Sequence, residues 1–132
     1  MRSIIISACV PLALLSCSID TNRNVGATPT ITEANDGSIV TARTGELLSV
    51  CLNENPSTGF RWTIEGELTL FDIEDNSYTA SSTNVGSGGR ECWRLRAKQA
   101  GQETIAFRLW RQWEGDKSIV KRFQFKANVS PR

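Results

Sequence analysis

The chain contains no histidine. That absence excludes Ser-His-Asp and Cys-His catalysis and removes the commonest zinc ligand. An excess of either charge is also missing: 15 Lys and Arg stand against 14 Asp and Glu, a formal net charge of +1. Such a balance leaves no electrostatic footprint for nucleic acid, and no nucleic-acid partner is expected. The apolar run from Ile4 to Leu15 is interrupted by Pro11 and is too short to span a bilayer as a helix. No stretch predicts a helix longer than one turn. With 132 residues, the chain has room for one domain and no second core.

What is present begins with a targeting pattern. Arg2 is a one-charge leader, Ile4 to Leu15 follows as the apolar segment, and then comes Leu14-Leu15-Ser16-Cys17. That tetrapeptide resembles the bacterial lipobox, in which the cysteine becomes a lipidated N-terminus. Residues 1–16 are therefore expected to be a lipoprotein signal peptide, with Cys17 the lipidation site. A plain secretory signal is the alternative. Ser18 lacks the acidic character associated with inner-membrane retention. The expected location is the bacterial cell envelope, lipid-anchored at the outer membrane or facing the periplasm. Residues 17–36 are polar and patternless and read as a flexible tether. The folded domain is expected at 37–132.

Of the four cysteines, Cys9 leaves with the signal and Cys17 takes the lipid. Cys51 and Cys92 remain as one pair in an oxidising compartment. Two cysteines without histidine make a poor metal site, and neither metal nor cofactor is expected.

From Ser38 onward short alternating runs are separated by Gly and Asn turns. They predict strands near 38–43, 46–53, 60–65, 67–73, 90–98, 102–111 and 117–129, and an all-β sandwich. The candidate core is Val40, Leu48, Val50, Leu52, Phe60, Trp62, Ile64, Leu70, Ile73, Trp93, Leu95, Ile105, Phe107, Phe123 and Phe125.

Three connections stand out. Asn55-Pro56-Ser57-Thr58-Gly59-Phe60 joins two strands, with Pro56 fixing one φ and Gly59 free to take φ > 0. By itself it also reads as an ordinary tight turn. Gly86-Ser87-Gly88-Gly89 reads as a flexible loop, since a phosphate cradle would need a strand-then-helix context and a lysine. Arg111-Gln112-Trp113 lies at the turn end of a strand, and exposed Trp and Arg are enriched at binding hot spots.

Together these loops resemble those of the chagasin-like inhibitors of papain-type cysteine peptidases. Asn55-Pro56-Ser57-Thr58-Gly59 is similar to the family's Asn-Pro-Thr-Thr-Gly, and Phe60 supplies the aromatic that follows. Gly86-Ser87-Gly88-Gly89 matches the second loop's Gly-x-Gly-Gly. Arg111-Gln112-Trp113 resembles the third loop's Arg-Pro-Trp, with Gln112 where the family has proline. A rival register would place Arg108-Leu109-Trp110 on that motif; Glu114-Gly115 at the turn favours the first.

The resemblance implies an immunoglobulin-like β-sandwich with three binding loops clustered at one end. It implies reversible, non-covalent inhibition of a papain-type cysteine peptidase, with no enzymatic activity and a monomeric protein. The first loop would approach the active cysteine. The glycines would lie along the non-primed side, Trp113 would stack on the primed side, and Arg111 would reach a polar or acidic rim. A lipid-anchored immunoglobulin-like module for an envelope or carbohydrate ligand is the alternative. A carboxylate-pair enzyme finds no evident pocket among Glu65, Glu67, Asp72, Glu74 and Asp75.

A disulfide between Cys51 and Cys92 is expected from strand phase. Both alternate with core positions and so face outward on neighbouring antiparallel strands, at nearly equal height from the loop end. Two free thiols are the alternative.

Overall fold

The computed structural model describes residues 28–132. The expected signal peptide at 1–16, Cys17 and the first part of the tether lie outside the described residues. Eight strands follow: β1 (Thr30–Ile31), β2 (Ile39–Arg43), β3 (Leu47–Glu54), β4 (Arg61–Ile64), β5 (Phe71–Ala80), β6 (Gly89–Ala97), β7 (Gly101–Trp110) and β8 (Lys121–Ser130). They form two four-stranded sheets, in the orders β1-β3-β6-β5 and β2-β8-β7-β4. This is the expected all-β sandwich.

Alternation in sequence becomes burial between the sheets. Leu48, Val50 and Leu52 of β3 face Ile105 and Phe107 of β7 and Phe123 and Phe125 of β8 across a core with essentially no exposure. Phe107 centres this core, its ring 4.9 Å from Trp93 and 5.8 Å from Phe123.

In four places the structure departs from the expectation, the simplest being β8, expected from 117 but starting at Lys121 after a 3-10 turn at Asp116–Ser118. The folded unit starts before residue 37: Thr30 and Ile31 pair in parallel with Ser49 and Val50, and Ile31 is buried. One apolar residue in a polar stretch is too little pattern to announce a strand. The strand expected at 67–73 is β5, which starts at Phe71 and runs to Ala80. Phe71 fills the core position instead of Ile73, which is 53% exposed. β5 is an edge strand with a register shift between Ile73 and Asp75, and β4, at the corresponding edge of the facing sheet, has only four residues. Phe60 is only half-buried, because it precedes β4 instead of lying in it.

Cys51 and Cys92 stand directly opposite in the β3–β6 ladder and are joined by a disulfide, with Cα atoms 4.2 Å apart. That separation matches a close cross-strand pair. The bridge lies on the face of the sheet away from the core, with Ser49 Oγ 3.8 Å from Cys51 Sγ.

Strand direction places the loops. β3 and β5 both run antiparallel to β6, so both end where β6 begins. β7 runs antiparallel to β4 and β8, so it ends where they begin. The links β3–β4, β5–β6 and β7–β8 therefore share one end of the sandwich.

Candidate functional site

The first loop is built by its own side chains. Pro56–Thr58 make one 3-10 turn capped by Asn55, whose Oδ1 accepts from Ser57 N at 3.2 Å and Ser57 Oγ at 2.6 Å. Thr58 Oγ1 donates to Asn55 O at 2.7 Å. Gly59 ends the turn at φ +82°, a left-handed conformation natural to glycine. Below the turn, the buried Glu54 carboxylate accepts from Trp62 N at 2.7 Å and Arg61 Nε at 3.2 Å. Trp62 Nε1 donates to Asn53 O at 2.8 Å. A loop that crosses between sheets is thus pinned at its stem.

The second loop closes the β5–β6 hairpin, with Ser81 N donating to Gly88 O at 3.0 Å. Asn55 Nδ2 donates to Gly86 O at 3.0 Å, joining the first loop to the second. Gly89 already belongs to β6. A Cβ there would collide with the Tyr78 ring and the Thr79 carbonyl, so this glycine serves close packing. Ser87 is exposed beside it.

The third loop contains two successive 3-10 turns, Gln112–Glu114 and Asp116–Ser118. Buried Ser118 holds it: its Oγ accepts from Arg111 N at 3.0 Å and lies 2.7 Å from Gly115 O. This internal brace stands where a rigid proline at Gln112 is missing. Trp113 is 72% exposed, and the edge of its ring touches loop 1: a Cβ on Gly59 would come within 2.7 Å of it.

In the free protein Arg111 turns toward loop 1, with Nη1 also 3.5 Å from Glu114 Oε1. Its Nε and Nη2 both donate to Thr58 O, at 3.2 and 3.1 Å, and its guanidinium lies 4.4 Å from the Phe60 ring centroid. The expected loop residues are therefore brought together, but in two roles. Asn55, Phe60, Gly89 and Arg111 hold the cluster, whereas Ser57, Thr58, Ser87, Gln112 and Trp113 present it to solvent. A groove of about 450 Å³ runs between loops 1 and 2, bordered by Asn55, Thr58, Phe60, Gly88 and Val120.

Glu54, Ser118 and Glu91 were not anticipated. An acidic residue at a core phase of a strand is the signal in two of these cases: Glu54 continues Val50-x-Leu52-x, and Glu91 precedes Trp93-x-Leu95. Burial pushes the Glu91 carboxyl above the usual carboxylate range, and the Glu54 charge adds to this. The Asn76 hydrogen bond and Arg61 oppose it. Among the described residues no group of three His, Cys, Asp or Glu is placed to hold a metal ion.

The model of the Chagasin family peptidase inhibitor I42 matches residues 41–127. Chagasin of Trypanosoma cruzi is 32% identical over 106 residues, which cover 74% of this chain and 96% of that protein. The crystal structure of a cysteine protease inhibitor from Entamoeba histolytica superposes with a TM-score of 0.71 at 24% identity, covering 78% of this chain and 96% of that one. A structure of PbICP-C in complex with falcipain-2 has a TM-score of 0.54 at 17% identity, covering 79% of this chain and 93% of that one. At these identities the two structures speak for the fold.

Proposed function

The chain belongs to the chagasin family of peptidase inhibitors, and from that premise we infer that it is a reversible, non-covalent inhibitor of papain-type cysteine peptidases, not an enzyme. The observation that carries the mechanism is the cross-bracing of the three loops. Loop 1 is bonded to loop 2 through Asn55 and to loop 3 through Arg111. A wedge whose parts are already fixed loses little conformational entropy when it enters a cleft.

The peptidase cleft holds a thiolate–imidazolium pair at its centre. The turn Ser57-Thr58-Gly59 leads with small side chains, so it can approach that centre. Gly86 to Gly89 and Trp113 flank it on either side. No lone strand lies in the cleft in substrate fashion, since the leading segment is a 3-10 turn with three carbonyls engaged: Asn55 O accepts from Thr58, Pro56 O from Gly59, and Thr58 O from Arg111. Attack on a peptide bond there would have to dismantle the turn. A wedge of this kind buries about 1,600 Å² in total.

The sequence also supports an envelope location, with a lipid on Cys17 as the membrane partner. β1 runs parallel to β3, and β3 ends at the loops. The chain thus enters the sandwich from the far end, which leaves the wedge pointing away from an anchored surface.

The direct test is steady-state inhibition of papain by the purified protein. Saturable inhibition, reversed on dilution and leaving the inhibitor uncleaved, is expected. Absence of inhibition at micromolar concentration, or steady cleavage at loop 1, would overturn this reading.

A further inference from the structure

Beside the wedge, on the flank formed by loops 1 and 3, lies a second cavity of about 290 Å³. Three of the four tryptophans border it, Trp62, Trp110 and Trp113, together with Gly59, Arg61, Thr63, Asn76, Glu91 and Gln112. The indole N–H groups of Trp62 and Trp110 are spent elsewhere, on Asn53 O and Thr63 Oγ1. The Glu91 carboxyl is 93% buried by residue, since Glu91 is 7% exposed. Its Oε1 accepts from Asn76 Nδ2 at 2.7 Å, but its Oε2 has no partner. Among the described residues no Lys or Arg nitrogen lies within 4 Å of the Glu91 carboxylate, and Arg61, which borders the same cavity, has its Nε engaged with Glu54.

A buried acceptor without a donor is costly, and the group that relieves it must donate. Aromatic rings around the same space favour a cation over a neutral donor. Trp110 already stacks with one cation, its ring centroid 3.6 Å from the guanidinium of Arg108, a residue that does not border the cavity. The volume suits one long side chain with an aliphatic stem. The residues at its mouth, Gly59, Gln112 and Trp113, belong to the wedge itself.

We propose that this cavity is a subsite for a basic side chain, lysine or arginine, supplied by the bound peptidase, with Glu91 as the charged anchor and the tryptophans as its walls. The proposal rests on the inhibitor reading for the source of the side chain, but not for the site. It makes Glu91 a specificity determinant: peptidases with a basic residue at that rim of the cleft are favoured over those without.

The test uses N-acetyl-arginine amide as probe and N-acetyl-norleucine amide as its uncharged control, read by NMR at the Trp110 and Trp113 indole and Asn76 amide signals. Saturable shifts with the arginine probe alone are expected, weakened at least tenfold in Glu91→Gln. No saturable shift, or equal binding by Glu91→Gln, overturns the site. In a second arm, papain inhibition is measured with the probe present. Weakened inhibition by the wild type, beyond any effect seen with Glu91→Gln, assigns the side chain to the peptidase; equal effects on both overturn that assignment. A wild type that fails to inhibit papain at all while still binding the probe would reject the inhibitor reading and keep the site.

Discussion

Gly59 and Trp113 touch across two loops, so substitutions at either report on one contact. Trp113 is mostly in solvent, and its removal costs the free domain little. Trp113→Ala is expected to weaken peptidase binding by about 2 kcal/mol or more, roughly thirtyfold, with the melting temperature nearly unchanged. A large fall in melting temperature with intact affinity would show instead that the ring holds the fold. Gly59→Ala meets two obstacles, a left-handed φ and the Trp113 ring. It should cost about 1–2 kcal/mol of stability from the backbone alone. It should also weaken inhibition, because the ring has to move; calorimetry and inhibition assays on the same sample separate the two effects. At Glu91, the folded-state pKa lies above the unfolded one, so the folded state retains a proton that the unfolded state releases. Stability from this source is present at low pH and is lost as pH rises through the folded pKa. Glu91→Gln never ionises. The melting-temperature difference, Glu91→Gln minus wild type, should therefore grow from about pH 4 upward; a difference flat with pH would mean that Glu91 is not perturbed.

Among the elements, β3 and β6 matter most, because they deliver loop 1 and loop 2 and the Cys51–Cys92 bridge ties them three or four residues below those loops. Closing a loop with a sequence separation of 41 limits the unfolded chain by about 4 kcal/mol in the chain-entropy account. Reduction should lower the denaturation midpoint accordingly and weaken inhibition, as the two loop stems gain freedom. The double variant Cys51→Ala with Cys92→Ala should behave like the reduced protein. Equal denaturation curves with and without reductant would refute a stabilising bridge. β5 shows the opposite condition: an exposed edge strand whose charged side chains pair with Arg96 of β6, through Glu74, and with Lys98 just beyond it, through Asp72. Such pairs add little stability, but edge charges discourage another strand from docking.

For the whole molecule, the sandwich separates its two ends. Loops 1 to 3 occupy one end and the chain enters at the other. An anchor on Cys17 would then hold the protein at a membrane with its wedge outward. Cys17→Ala is expected to convert a membrane-associated protein into a soluble one without altering its inhibition constant. If the wild type takes up no labelled palmitate in cells, the anchor is refuted.

Strand alternation such as Leu48-x-Val50-x-Leu52 and Phe123-x-Phe125 is a local property of the chain, and it alone determined the all-β class and most of the core. Of the three loops, only the loop Trp113 and Arg111 stood out as binding residues by their own identity; that the three form one set was read from their resemblance to the chagasin-like inhibitors. Cys51 opposite Cys92 followed from phase and loop distance, once an immunoglobulin-type topology made their two strands antiparallel neighbours. Tertiary structure decided what depends on contacts between segments distant in sequence. Arg111 could be read as an outward cation until Thr58 O, 53 residues away, took two of its donors. Ile73 looked like core until the register shift and the shortness of β4 left it at an uncovered edge. Glu91 became a buried acceptor because β5 brought Asn76 to one oxygen and nothing to the other. A side chain's type sets what it can bond, but which partner arrives is fixed only when the sheets pack.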